Sequence, residues 1–437
     1  MTEVAEQIQY FLEGFDEAVF NQASCQGAAL LKTKREEAFA AYAALPNPGS
    51  RDEEYRRTDP MMFRFGRYTR MPTVSRKDDF AAGAWDEQFD VVVEISDTNV
   101  GIKDLSGVLS DEVVVTTLDE AAENHAEVIS EYLQGAASPE TPRKFFELAN
   151  AFWNAGLFVH LKKGQVLEKG ILVRYRYGQE GSAAIPRLLV VAEAETQATI
   201  VEHYSASPSG HFLCVGAREF YVDQAAHIKC ISMQEWGSTA VHIGEDWARV
   251  KRDATVDLVT MSLGGKVSKS SVGCDVCEPN SNAYLGGLYF ANAKQHFDQM
   301  TLQMHSAPDT YSNMLYKGAA KDEAYSVYQG VIRATHGSIG VDAYQTNNNL
   351  VLDKGARADS MPGLIINADD LACSHGATMG NLDPEQIYYL RSRGISEAEA
   401  RKMLVLGFFE EIVERVPHEP IQDRLHALIE ENLGCSE

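Results

Sequence analysis

In the run Ala368-Asp369-Asp370-Leu371-Ala372-Cys373-Ser374-His375-Gly376, a cysteine and a histidine stand two residues apart. If this stretch is extended, side chains two apart share a face, so the thiol of Cys373 and the imidazole of His375 project together while Ser374 points away. A soft sulfur beside an imidazole supplies half of a tetrahedral metal shell, and a second chain can supply the rest. The same pair also suits a histidine that deprotonates a thiol. A Cys-x-His spacing is also common in purely structural settings, so on spacing alone the three readings stay open.

Other chemistry is excluded more readily. Cys274-Asp275-Val276-Cys277 is a lone Cys-x-x-Cys. A zinc or cluster site needs a second ligand pair close in space, and in a strand-rich setting such thiols read better as small buried hydrophobes. Leu263-Gly264-Gly265-Lys266-Val267 lacks both the first glycine of a phosphate loop and the hydroxyl after the lysine, so it reads as a turn. No dinucleotide fingerprint, nucleophile elbow or zinc-protease helix is present. ATP use and serine or zinc hydrolysis therefore find no support, and the chain is expected to have no catalytic residues of its own.

The 437 residues suggest about three domains at roughly 150 residues each. With 45% hydrophobic and 23% charged residues, dominant disorder is excluded. Lys plus Arg total 39 against 63 for Asp plus Glu, a net charge of -24 that repels phosphate at long range. The basic stretches, Tyr55-Arg56-Arg57 and Arg64 to Lys77, are flanked by Glu53, Glu54, Asp59, Asp78 and Asp79 and read as solvated surface. No nucleic-acid partner is expected. The acidic start, Met1 to Gln7, does not read as a targeting peptide, and no run approaches ~18 apolar residues, so no membrane partner is expected either. Seven scattered cysteines, Cys25, Cys214, Cys230, Cys274, Cys277, Cys373 and Cys435, suit reduced thiols in a cytoplasmic setting.

The elements that must hold the Cys-x-His pair fall into three stretches. Thr2 to about Leu45 is helical, with Ile8, Phe11 and Phe15 at helical spacing, until Pro46, Pro48 and Gly49 break it. A mixed region follows, with a strand at Phe89 to Ile95 and a helix over Thr141 to Ala155 that carries Pro142 in its first turn. From Gly164 short alternating runs dominate. Ala198-Thr199-Ile200, Ala226-His227-Ile228, Ala254-Thr255-Val256 and Ala283-Tyr284-Leu285 recur at a nearly fixed step. Such a step fits a parallel β-helix, in which each coil buries its inward residues against its neighbours, although an antiparallel sandwich could also produce it. At the end, Asp383 caps a helix before Pro384 with Gln386 reaching back, Gly394 stops it, and Ser396 opens a second helix ending before Pro417. A third helix spans Ile421 to Leu433 before Gly434. Met403, Leu404, Leu406, Phe408, Phe409, Ile412 and Val413 cover more than one helical stripe, so this subdomain either packs on the β region or meets a partner.

Several of these runs together carry a family resemblance. Gln345 to Leu350, Ala368 to Thr378, Leu382-Asp383 and Tyr389-Leu390-Arg391-Ser392-Arg393-Gly394-Ile395 closely resemble the SufB/SufD family of iron-sulfur cluster assembly proteins. Weaker similarity extends upstream through His305-Ser306-Ala307-Pro308-Asp309-Thr310, and Leu45-Pro46-Asn47-Pro48 with Glu54-Tyr55-Arg56-Arg57-Thr58-Asp59 looks like the family's Arg-Arg-Thr-Asp run, with Tyr55 where a tryptophan is usual. Asn348 to Asp353 lacks the scaffold cysteine of the SufB branch, and Cys373-Ser374-His375-Gly376 has the SufD form. The resemblance implies a mainly β fold, with a right-handed parallel β-helix at 164–372 between an N-terminal helical and mixed α/β domain at 1–163 and a C-terminal helical subdomain at 373–437.

In the family, a SufD-type subunit pairs with SufB, and each docks one SufC ATPase through its C-terminal helices. Carried over by position, His375 is then a metal ligand facing SufB, with Cys373 a nearby thiol, and iron or a nascent cluster is held transiently between them. Leu404, Phe408, Phe409 and Ile412 would meet SufC. Family members can also self-pair as homodimers, and the complex is associated with reduced flavin, for which no site is visible here. Two other readings are a SufB-like scaffold and a carbohydrate-active β-helix enzyme using Asp369 and Asp370. The latter suffers because adjacent strand residues face opposite sides. The run Asn347-Asn348-Asn349 reads as a hydrogen-bonded turn ladder.

Overall fold

The computed structural model describes residues 14–23, 28–68, 71–135, 143–206 and 210–434. Ile8, Phe11, Cys25, Thr141, Pro142 and Cys435 lie outside them.

From Pro186 to Gly380 successive strands alternate between an eleven-stranded and a ten-stranded sheet, and each pairs in parallel with the strand one coil below. The result is a parallel β-solenoid of about eight turns, flanked by an N-terminal α/β region and C-terminal helices. The recurring apolar triplets do mark this step, but the register is looser than their spacing suggests. Ala226 and Ala254 align, whereas Ala198 pairs with Ile228 and Val256 with Ala283. Turns of unequal length cause the slide, and because it is by two residues it keeps the same side chains facing inward.

Hydrophobic burial holds three layers together. One cluster fills the solenoid lumen, with Ile228, Leu258, Leu285 and Phe297 among its members. A second joins the outer face of the ten-stranded sheet to N-terminal helices through Phe145, Phe152, Leu213 and Ile243. A third joins the outer face of the other sheet to the C-terminal helices through Leu288, Phe290, Phe409 and Ile412. Strands covered on both faces lose their polar alternation, and Val267–Val276 is buried at every position.

The sheets cross the boundaries expected from sequence. Val91–Ser96 pairs in parallel with Ile171–Tyr177, and Ala155–Leu161 with Pro186–Ala192, so the region before residue 164 contributes strands to both sheets. At the other end the strand Ala372–Gly380 continues the solenoid beyond 372, and the helices begin only at Pro384. Two glycines in this strand weaken its intrinsic β preference, and the ladder offered by Asp342–Val351 makes it a strand.

In the N-terminal region the α-helices are Glu17–Ala23, Ala29–Ala44, Leu118–Asn124, Ala126–Tyr132 and Lys144–Phe152 among the described residues, and the expected strand at 89–95 is Val91–Ser96. The glycine pair at 264–265 is a turn: a Cβ on Gly264 would lie 2.2 Å from the Trp236 carbonyl oxygen, and Gly265 has φ +93°. The C-terminal helices are Pro384–Ser392, Glu397–Val413 and Glu419–Leu433. Asp383 accepts from the Glu385 amide at 2.8 Å and Ser396 from the Glu399 amide at 3.2 Å. Gly394 and Gly434 close helices with φ of +88° and +80°.

Candidate functional site

The solenoid ends in an uncapped coil. Arg357–Ile366 and Ala372–Gly380 are the terminal strands of their sheets, each paired on one side only. A parallel edge left open presents unpaired N–H and C=O groups that another chain can complete. Leu364, Ile365, Ile366, Tyr344 and Met379 are all exposed around this end.

Cys373 and His375 lie on the final strand, in register with Ala343 and Gln345 of the strand below. Ala343, Gln345, Asn347 and Asn349 are buried inside the solenoid, so register places Cys373, His375, Ala377 and Met379 on the same inner side, at its mouth. Cys373 is half-buried and leans on Ile332, Val341 and Ala343. Burial first, and Asp342 second, push its thiol above the ordinary range. His375 is exposed. The expected shared face is therefore present, with the sulfur partly packed and the imidazole free. Among the described residues no group of three or more His, Cys, Asp or Glu side chains could hold a metal, so this pair offers at most two donors.

Below the mouth the lumen is polar. Asn349 Nδ2 donates to Asn347 Oδ1 at 2.6 Å, Asn347 Nδ2 donates to the Tyr289 hydroxyl at 3.0 Å, and that hydroxyl donates to Asn349 Oδ1 at 2.6 Å. Asn348 faces outward and accepts from Thr378 at 2.6 Å. The asparagine run is thus part of a strand, Asp342–Val351, and not a turn: hydrogen bonds across the lumen satisfy the amides that would otherwise favour a loop. Several coils deeper, Arg218 bridges Glu202 and Asp246, and Glu202 also accepts from Tyr175 at 2.8 Å and Tyr204 at 3.1 Å. Nothing in the sequence pointed to this cluster, because its members are brought together only by coil stacking.

The remaining candidates separate. Cys274 faces the lumen with its thiol pushed up to about 12 by burial, while Cys277, beyond the strand, donates to the Val250 carbonyl at 3.3 Å. Asp369 and Asp370 lie exposed in the turn before the last strand, and not in the strand itself. Phe409 and Ile412 are fully buried against the solenoid, with Phe409 beside Phe290, so they are used in intramolecular packing. Leu404 and Phe408 are half-buried, and Lys317 lies 5.4 Å from the Phe408 ring. The exposed large apolar side chains of the helical subdomain are Tyr388, Tyr389 and Met403.

The Arg-Arg-Thr-Asp run is a strap over the outer face of the ten-stranded sheet. Thr58 donates to Asp298 at 2.5 Å and contacts His296 at 2.8 Å, Lys269 pairs with Asp298 at 2.9 Å, and Arg57 reaches Asp359 of the last coil at 3.1 Å. Asp59 caps the short turn Pro60–Phe63.

Residues 175–408, more than half of the chain, match the family described as SUF system FeS cluster assembly, SufBD core domain, and residues 6–173 match the SufBD protein N-terminal region. The chain belongs to the SufBD family. An iron-sulfur cluster assembly SufBD family protein of Mycobacterium tuberculosis is 36% identical over 313 residues, 69% of this chain and 77% of the relative. The iron-sulfur cluster assembly protein SufD of Escherichia coli is 30% identical over 312 residues, 70% of this chain and 73% of that protein. A SufBD family protein of Staphylococcus saprophyticus is 26% identical over 308 residues, 70% and 66% of the two chains. The solenoid is thus the SufBD core, and its last coil carries the Cys-x-His pair. Among the described residues no helix is long and apolar enough to cross a membrane.

Proposed function

We propose that this SufBD protein is the SufD-type subunit of a cluster assembly complex. Its open coil pairs with a SufB-type scaffold, its helical subdomain docks a SufC ATPase, and His375 presents an imidazole to iron arriving as cargo between the subunits. The observation that carries this reading is the exposed His375 on a terminal strand whose outer edge is open. The absence of a cysteine from Asn348 to Asp353 favours the SufD role over the scaffold role, as does the likeness to E. coli SufD. In the helical subdomain, the exposure of Tyr388, Tyr389 and Met403 supports a docking role for them more than for the buried Phe409 and Ile412.

Co-expression with SufB and SufC, followed by size exclusion and iron and sulfide analysis, tests the proposal. His375→Ala is expected to leave the complex intact and lower its iron and cluster content after reconstitution. Unchanged content would remove His375 from the mechanism, and failure to recover a mixed complex would remove the SufD assignment.

A further inference from the structure

Directly beneath His375 lies Gln345, its register partner one coil into the solenoid. Gln345 is fully buried, yet its Oε1 has no hydrogen-bond partner. A buried acceptor left without a donor costs about 1–3 kcal/mol, so a retained one calls for a donor. The orientation of the amide is set by its other end. The Tyr328 hydroxyl has a single proton, for Met314 Sδ at 3.4 Å or for Thr301 Oγ1 at 2.6 Å, and it accepts from Gln345 Nε2 at 3.1 Å. The space for this arrangement exists because residue 330 is glycine: a Cβ there would lie 2.0 Å from both Gln345 Nε2 and the Tyr328 oxygen. Tyr328 and Gly330 thus hold the amide with its carbonyl oxygen unspent, below the strand that bears the imidazole.

We infer that Gln345 is a positioning residue for His375: its Oε1 accepts one imidazole N–H and leaves the other ring nitrogen, with its lone pair, facing out of the mouth. Adjacent strands lie about 4.8 Å apart, a gap that a glutamine and an imidazole can bridge. The contact forms when the mouth is covered and His375 turns inward. A histidine that binds metal through one nitrogen gains orientation and basicity when its other nitrogen donates to a carbonyl. Both the positioning contact, which needs the mouth covered, and the role of Gln345 in metal capture rest on the function proposed above.

The test uses the full chain, with ¹⁵N-labelled histidines, in complex with SufB and SufC. Ring-nitrogen shifts of His375, assigned by their loss in His375→Ala, are expected to show one neutral tautomer. Gln345→Met, which removes the acceptor at similar volume, should shift them toward the mixture of free histidine, and Gln345→Glu, which restores an acceptor, should return them. Tyr328→Phe, which frees the amide to rotate, should give an intermediate shift and serves if Gln345→Met fails to fold. Ferrous ion added to the same complexes is expected to bind about 10–100-fold more weakly with Gln345→Met. Identical tautomer signatures in wild type, Gln345→Met and Tyr328→Phe would overturn the inference. A tautomer shift with no ferrous binding even in wild type would support the positioning contact and defeat the metal role of His375.

Discussion

Arg57, near the start of the chain, reaches Asp359 on the last coil with its Nε at 3.1 Å, tying the N-terminal strap to the open end of the solenoid. Tyr325 also donates to Asp359 at 2.7 Å, and Arg357 donates at 2.7 and 3.0 Å. Burial works to raise the Asp359 carboxyl, but the hydrogen bonds from Arg357 and Tyr325 and the charges of Arg357 and Arg57 outweigh it and hold it below the ordinary range.

Asp359→Asn should therefore loosen the strand Arg357–Ile366 while leaving the inner coils unchanged. These groups are partly exposed, so the expected cost is about 1 kcal/mol, or roughly fivefold faster hydrogen exchange confined to this strand and the strap. Because the folded carboxyl titrates below the unfolded one, the contribution is complete above the unfolded value and fades as pH falls through the folded one. Exchange that is unchanged, or faster throughout the solenoid, would contradict a local tie.

A second tie joins the helical subdomain to the solenoid. Glu235 accepts from His203 at 3.1 Å and from Arg424, whose other nitrogen pairs with Glu431 at 2.8 Å. Burial tends to raise the Glu235 carboxyl, yet His203 and Arg424 together bring it down to about 2 from 4.5. The stabilisation, roughly 2 kcal/mol for a carboxylate of this kind, should be whole above pH 4.5 and gone once pH falls through about 2. Glu235→Gln should thus differ from wild type in urea resistance at pH 6 and match it near pH 2. A difference that persists at the acid end would rule out this linkage.

Local chemistry made some of this architecture legible in the sequence. Asp383, Ser396, Gly394 and Gly434 act within one turn of their own positions, so the helix boundaries they mark are visible without tertiary context. The shared face of Cys373 and His375 follows from strand geometry in the same way. The strap was not legible: Thr58 meets Asp298 and Arg57 meets Asp359 across hundreds of residues, and no local pattern encodes such pairings. The asparagine run misled because its intrinsic turn preference is overridden by amide bonds across the lumen. In the helix Glu397–Val413, apolar residues on more than one stripe left open whether the β region or a partner covers them, and the solenoid takes Phe409 and Ile412.

That ambiguity yields a contrast between Phe409 and Tyr388. Phe409 is fully buried beside Phe290, so Phe409→Ala should cost about 3–5 kcal/mol and expose the helical subdomain to proteolysis. Tyr388 is 74% exposed, and Tyr388→Ala should leave thermal stability within about 0.5 kcal/mol of wild type. If the exposed surface formed by Tyr388 of the helix Pro384–Ser392 and Met403 of the next helix meets the ATPase, the Tyr388 variant, combined with Met403→Ala, should be the one that loses SufC in a pull-down. Normal capture by that soluble double variant would move the docking surface elsewhere.

The charge cluster in the lumen offers the strongest test of how the solenoid tolerates polar interior. Arg218 lies between Glu202 and Asp246 with Cys230 3.7 Å away, all in a space closed by Tyr175 and Tyr204. Removing the guanidinium alone leaves two buried carboxylates facing each other, so Arg218→Met should destabilise by about 3–5 kcal/mol or abolish soluble expression. Neutralising both acids as well, with Glu202→Gln and Asp246→Asn, replaces the charges by amides that can bond to each other and to the tyrosines, and should restore much of the loss. Recovery in the triple variant would show that charge balance, and not the shape of the arginine, is what the lumen requires. A triple variant as unstable as Arg218→Met would instead assign the effect to the volume the guanidinium fills between neighbouring coils.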